Sequence, residues 1–174
     1  GVTVREVAAV AGVGVGTFYE YVGNKQALAA LTIHMRVKSL AQALQAGIEA
    51  QRGRPLVELV GALLDQQVSL VMADATSWAA LFMVERLVST PEAYRKHYDQ
   101  FVDLWEQALA VASDAPGGVQ LAEQARMVHA ISYGWITQSL LTQGPTLSQL
   151  ALRQEMERAV LAYLLHGTTA QRTV

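Results

Sequence analysis

Thr17, Tyr19, Tyr21 and Lys25 put three hydroxyls and an ammonium within nine residues of one another. Hydroxyls and a lysine beside a helix N-terminus are good phosphate ligands, and the helix dipole adds a small attraction for anions. Arg5, a little upstream, can reach a guanine edge or a phosphate. Gly14 and Gly16 carry no side chain to hold a helix away from a groove wall. Bond-breaking chemistry has no comparable cluster. H-E-x-x-H, G-x-S-x-G and glycine-rich phosphate loops are missing. His34, His97, His129 and His166 do not fall at metal-ligand spacing, and His129, inside an apolar stretch, reads as a core histidine. The sequence therefore assigns no catalytic residue, no metal ligand and no cofactor, and an enzyme is not expected.

The elements that must position these residues are short helices. Thr3 and Glu6 have capping-box spacing, and Val4, Val7, Ala8 and Ala11 follow at helical intervals. Gly12 suits the residue just past a helix end, and Val13 fills the angle that follows. A second helix is predicted from about Val15 to Tyr21, with Phe18 and Val22 facing inward. Gly23 stops it and Asn24 caps the next. This is the layout of a helix-turn-helix. Ordinary αα-corners share it, so spacing alone leaves a DNA reader and a plain corner both open.

The string itself is similar to the DNA-binding signature of the TetR family of transcriptional regulators, T-V-R-E-I-A-x-x-A-G-V-S-x-G-T-L-Y-x-Y-F-x-x-K-x-x-L. The matching residues run from Thr3, Val4, Arg5 and Glu6 through Gly16, Thr17, Phe18 and Tyr19 to Tyr21, Lys25 and Leu28. The resemblance implies that Val15, Gly16, Thr17, Tyr19 and Tyr21 face the groove, that Lys25 grips a phosphate and that Arg5 lies near a base edge. Two positions depart from the pattern. Gly14 stands where the family often has Ser, which removes a cap hydroxyl, and Val22 replaces a larger Phe. The family also has a helix before this motif, so a further helix is expected ahead of Gly1.

The body is different in character. The chain has 174 residues, 52% of them hydrophobic, with no Cys and a net charge of −2. That is enough to bury a sizeable core, and it excludes disulfides and cysteine-held metals. No apolar run reaches the roughly 18 residues of a membrane span, so a cytoplasmic protein without membrane contact is expected. Residues 1–38 carry +2 and the remainder −4, a mildly basic head on an acidic body.

A long helix is predicted from Asn24 to about Gln51, broken by Arg52-Gly53-Arg54-Pro55, with further helices over 55–73, 75–89, 91 to about 113, 119–142 and 147–166. Thr90 and Thr146 are the expected caps of the fourth and last of these. Asp114 to Gly118 reads as a loop. The last two helices are apolar on more than one face, which calls for a second partner. The resemblance implies that this partner is the same helix pair of a twin subunit.

Tyr94, His97, Tyr98, Phe101 and Trp105 form one ridge at helical spacing, and Trp78, Phe82 and Met83 can oppose it. Tyr133 and Trp135 flank Gly134, where another backbone could approach. Such a stripe is commonly plain core, but aromatic and Met walls also suit a largely apolar ligand. The ligand-binding set read from the sequence is Trp78, Phe82, Tyr98, Phe101, Trp105 and Tyr133.

The expectation is an all-α chain. A helix-turn-helix DNA-binding head, residues 1–38, joins through a long helix to a ligand-binding and dimerisation body, residues 39–174. The resemblance implies a regulator, in most of the family a repressor, bound as a homodimer to a near-palindromic double-stranded operator and released by a small-molecule effector. The rival is a helical small-molecule-binding or interaction protein without DNA binding.

Overall fold

The computed structural model describes residues 5, 6, 9, 14–16, 25–115 and 120–167. From Lys25 onward it contains α1 (Lys25–Ala50), α2 (Leu56–Met72), α3 (Ala75–Val88), α4 (Pro91–Ala110), α5 (Leu121–Gln143), a single 3-10 turn (Gly144–Thr146) and α6 (Gln149–Gly167). No strand occurs among the described residues, and the fold is all-α.

The helix α1 begins one residue after Asn24 and passes through residue 38 without a break. At about 1.5 Å per residue its 26 residues span roughly 39 Å. It crosses α2 closely at Gly47, where a Cβ would come 2.8 Å from Leu63 Cδ2. Gln66 of α2 donates from Nε2 to Ala43 O at 3.0 Å in the same crossing. Gly53, at φ 77°, ends the helix by a left-handed turn that a side chain would disfavour.

The core is organised round α2. Leu59, Val60, Leu63, Leu64 and Val68 are at most 1% exposed, because α2 has neighbours on several sides: α1, α3, α4 and α6. Each such side chain contributes roughly 1.5–3 kcal/mol on burial. On α4, Trp105, Ala108 and Leu109 complete this core, and on α5 and α6 Ala125, Val128, Met156 and Val160 extend it.

The turn after α1 is clasped to the end of α4. Gly53 N donates to Val111 O at 2.9 Å, Ser113 N to Arg54 O at 3.0 Å, and Leu56 N to the Asp114 carboxylate at 2.6 Å. These bonds are why α4 stops at Ala110 rather than near Ser113: residues 111–114 leave the helix to cap α2 from outside. Pro91 occupies the first turn of α4, and the Thr90 hydroxyl accepts from Ala93 N at 3.1 Å, as its sequence predicts.

The expected cap of the last helix is corrected. Thr146 Oγ1 donates to Gln143 O at 2.7 Å and so closes the 3-10 turn. Ser148 does the capping, accepting from Ala151 N at 3.3 Å. Gly144 (φ 58°) ends α5 and opens the extra turn, and Leu147 and Ser148 follow it before α6.

No single helix among the described residues is long and apolar enough to cross a membrane. The pair α2 and α3 passes on composition together, but it is bent by 92°.

Candidate functional site: a cavity against the long helix

Five helices enclose a cavity of about 340 Å³. That is within the range of small-molecule sites. Its walls come from Ile33, Arg36, Val37 and Leu40 of α1, Gln67 and Val71 of α2, Trp78, Phe82 and Glu85 of α3, Tyr98 and Phe101 of α4, and His129, Tyr133 and Thr137 of α5. The ring contacts are tight. Phe101 stacks on His129 at 5.7 Å with 5° between planes. Tyr98 meets His129 edge-on at 5.3 Å, and Phe82 meets Tyr133 edge-on at 5.7 Å.

The structure brings together Trp78, Phe82, Tyr98, Phe101 and Tyr133 of the aromatic set. It does not bring Trp105 with them. Trp105 is 0% exposed and belongs to the close-packed core, one turn deeper along α4 than Phe101. Met83 does not oppose the ridge either: it is 66% exposed and points away from the cavity. At Gly134 no backbone approaches, since an added Cβ would meet nothing within 4 Å among the described residues.

The polar lining was less visible in the sequence. Gln67, His129 and Thr137 are at most 6% exposed, and Gln67 Oε1, His129 Nδ1 and Thr137 Oγ1 have no hydrogen-bond partner. His97 Nδ1 of α4, which also lines the cavity, is likewise without a partner. Buried polar atoms are nearly always paired, so these orphans around the cavity are atoms for a ligand or water to satisfy. Burial pulls the His129 imidazole down to about 4, which keeps it neutral at ordinary pH. Glu85, 7% exposed, accepts from the Tyr133 hydroxyl at 3.0 Å. Burial raises its carboxyl above the usual range, against the opposing pull of Tyr133 and Arg86. Glu85 is the only acid in α3, three residues after Phe82 and seven after Trp78. A lone acid on the apolar face of a helix is a signal that sequence reading could have used.

Arg36 joins the cavity to the start of α3. Its guanidinium pairs with Asp74 at 2.7 Å and lies 6.0 Å from the centre of the Trp78 ring. Asp74 also accepts from Ser77 N at 3.4 Å as the cap of α3. The Ser77 and Arg36 bonds hold its carboxyl below the usual carboxylate range.

In the head, Arg5 is helical and exposed, as are Val15 and Gly16. Thr17, Tyr19 and Tyr21 lie outside the described residues, as do the capping pair partner Thr3 and the turn at Gly12. Lys25 opens α1, and its side chain is likewise outside the description. Among the described residues no three His or acidic side chains gather as metal ligands.

The family model described as "Bacterial regulatory proteins, tetR family" matches residues 1–31. No curated protein and no solved structure matches the chain. The matched segment contains the whole helix-turn-helix string and the first seven residues of α1. On that segment, and with an all-helical fold behind it, the chain is similar to the tetR family of bacterial regulatory proteins, which supports a DNA-binding transcription regulator.

Proposed function

We propose that the chain is a ligand-responsive repressor, a homodimer released from a near-palindromic operator when a small molecule enters the cavity. One observation carries this reading: α1 starts inside the matched DNA-binding segment and supplies a wall of the cavity at Ile33, Arg36, Val37 and Leu40. A molecule seated there touches the helix that leads out of the head. The reading divides the chain into a DNA-binding unit over residues 1–38 and a sensing and dimerising body over 39–174, joined inside a continuous helix. Arg5, Val15, Gly16, Thr17, Tyr19, Tyr21 and Lys25 are the DNA contacts in this reading. Two heads must enter major grooves about 34–36 Å apart, or a multiple of that, so a shift of either rod costs contacts. A coupling of about 1–3 kcal/mol changes operator affinity roughly 5–150-fold.

The test begins with an operator selected from genomic fragments by the full-length protein. Lys25→Ala is expected to weaken binding alike on all sequences and to lower the salt slope by about one unit. A cavity ligand is expected to release the wild type from the same operator. Unchanged salt dependence would remove the DNA assignment, and unchanged affinity with the cavity filled would remove the sensor.

Dimerisation through α5 and α6 is supported by large apolar side chains left on their outer faces: Trp135, Leu141 and Leu165 are each more than 40% exposed. Leu164, by contrast, faces its own core at 2% exposed. An obligate interface buries about 2,000 Å² or more in total. Leu165→Glu is expected to yield a folded monomer at micromolar concentration by sedimentation, where wild type is a dimer. A wild-type monomer would overturn the assembly.

A further inference from the structure

Glu85 is the one buried acid among the described residues. It is 7% exposed, lines the cavity, and forms no ion pair with a Lys or Arg among the described residues. A buried carboxylate left without a cation is costly, and the cost is what raises its carboxyl. The other charges at the cavity relieve it only in part. Arg36 is already committed to Asp74 at 2.7 Å. Arg86, the next residue along the chain, is exposed to water. His129, across the cavity, is neutral.

The surroundings of Glu85 are aromatic. Tyr133 donates to it at 3.0 Å, and the Tyr133 ring meets Phe82 edge-on with centroids 5.7 Å apart. Trp78 lies 5.6 Å beyond Phe82. Ring faces attract cations, most strongly where water is excluded. A neutral apolar molecule would use the rings but leave the carboxylate unmatched, and an anion would meet it with repulsion.

We propose that the cavity is selective for a bulky organic monocation, its positive centre held by the Glu85 carboxylate and the rings of Phe82, Tyr133 and Trp78. The proposal rests on the cavity being the effector site described above. It names the chemical class of the effector.

The test uses three probes of nearly one shape on the full chain: 1-naphthylmethyl-trimethylammonium, its neutral carbon isostere 1-neopentylnaphthalene, and the anion 1-naphthylmethanesulfonate. Direct binding is followed by tryptophan and naphthalene fluorescence. The cation is expected to bind at least tenfold tighter than the neutral isostere, and the anion weakest. Glu85→Gln is expected to abolish the preference, the larger loss falling on the cation. Phe82→Leu, checked for folding by thermal unfolding, is expected to weaken the cation more than the neutral probe. Equal or tighter binding of the neutral probe or the anion overturns the cation proposal and leaves the effector cavity standing. A cation preference that survives Glu85→Gln overturns the assignment to that residue. Failure of all three probes to bind overturns the cavity reading together with the proposal.

Discussion

Trp105→Ala is expected to lower unfolding free energy by about 3–5 kcal/mol, the usual range for emptying a large aromatic site in a core. Trp105 is 0% exposed. Its indole Nε1 has no partner, and removing that unmet donor places the loss toward the lower end of the range. Phe82→Ala, on the wall of an open cavity, is expected to cost less, roughly 1–2 kcal/mol, because its outer face already lacks packing neighbours. Trp105→Phe, which fills most of the volume without the buried N–H, is expected to stay close to wild type. Chemical unfolding at a fixed protomer concentration measures all three, since assembly makes stability concentration-dependent. Equal losses for Trp105→Ala and Phe82→Ala would erase the division between core and cavity on which the site rests.

That division shows what the sequence could and could not express. Helical periodicity correctly aligned Phe101 and Trp105 on one face of α4, since residues four apart nearly eclipse. It carries no information about depth, and one turn separates an open wall from close packing. Chain punctuation was more legible. Gly53 with Pro55, Thr90 with Pro91, and Gly144 mark helix ends by dihedral preference or a lost amide, which are local properties. Asp114 is the opposite case: it caps α2 across 58 residues of sequence, so nothing near Leu56 announces it. The roles of Gln67, His129 and Thr137 were hidden for the same reason. Each is a single polar residue on an apolar face, and only the assembled helices show that its polar atom meets a void rather than a partner. The pairing of Arg36 with Asp74 likewise depends on where α1 passes the start of α3.

Acid is expected to destabilise the protein through His129. The folded state holds this imidazole down to about 4, against an ordinary value of 6.5 that applies to the unfolded chain. Above pH 6.5 both states are neutral and nothing is lost. As pH falls from 6.5 toward 4 the unfolded state takes up a proton that the folded state refuses, so stability drops, by about 3 kcal/mol over that window. Glu85 works in the opposite direction, because its raised carboxyl makes the folded state the better proton acceptor on the acid side. The wild-type profile is therefore a net slope, and the His129 part is isolated by difference. His129→Phe keeps a planar ring on Phe101 and removes the titration. Its stability relative to wild type is expected to rise steadily between pH 6.5 and pH 4 in denaturant titrations. A constant difference across that range would show that His129 is free to protonate in the folded protein.

The clasp between the α1–α2 turn and the end of α4 has a mechanical meaning. Three hydrogen bonds fix the turn that follows α1, the cavity is lined by residues at the middle of that helix, and the helix's first seven residues lie within the family-matched segment. In the proposed function the rod serves as a lever with its fulcrum near Ala50. From there, at about 1.5 Å per residue, the load point at Arg36 lies roughly 21 Å away and Lys25 roughly 38 Å. A rigid swing that displaces the helix by about 1 Å beside the cavity carries its first turn by nearly 2 Å, so the geometry itself supplies gain between the chamber and the head.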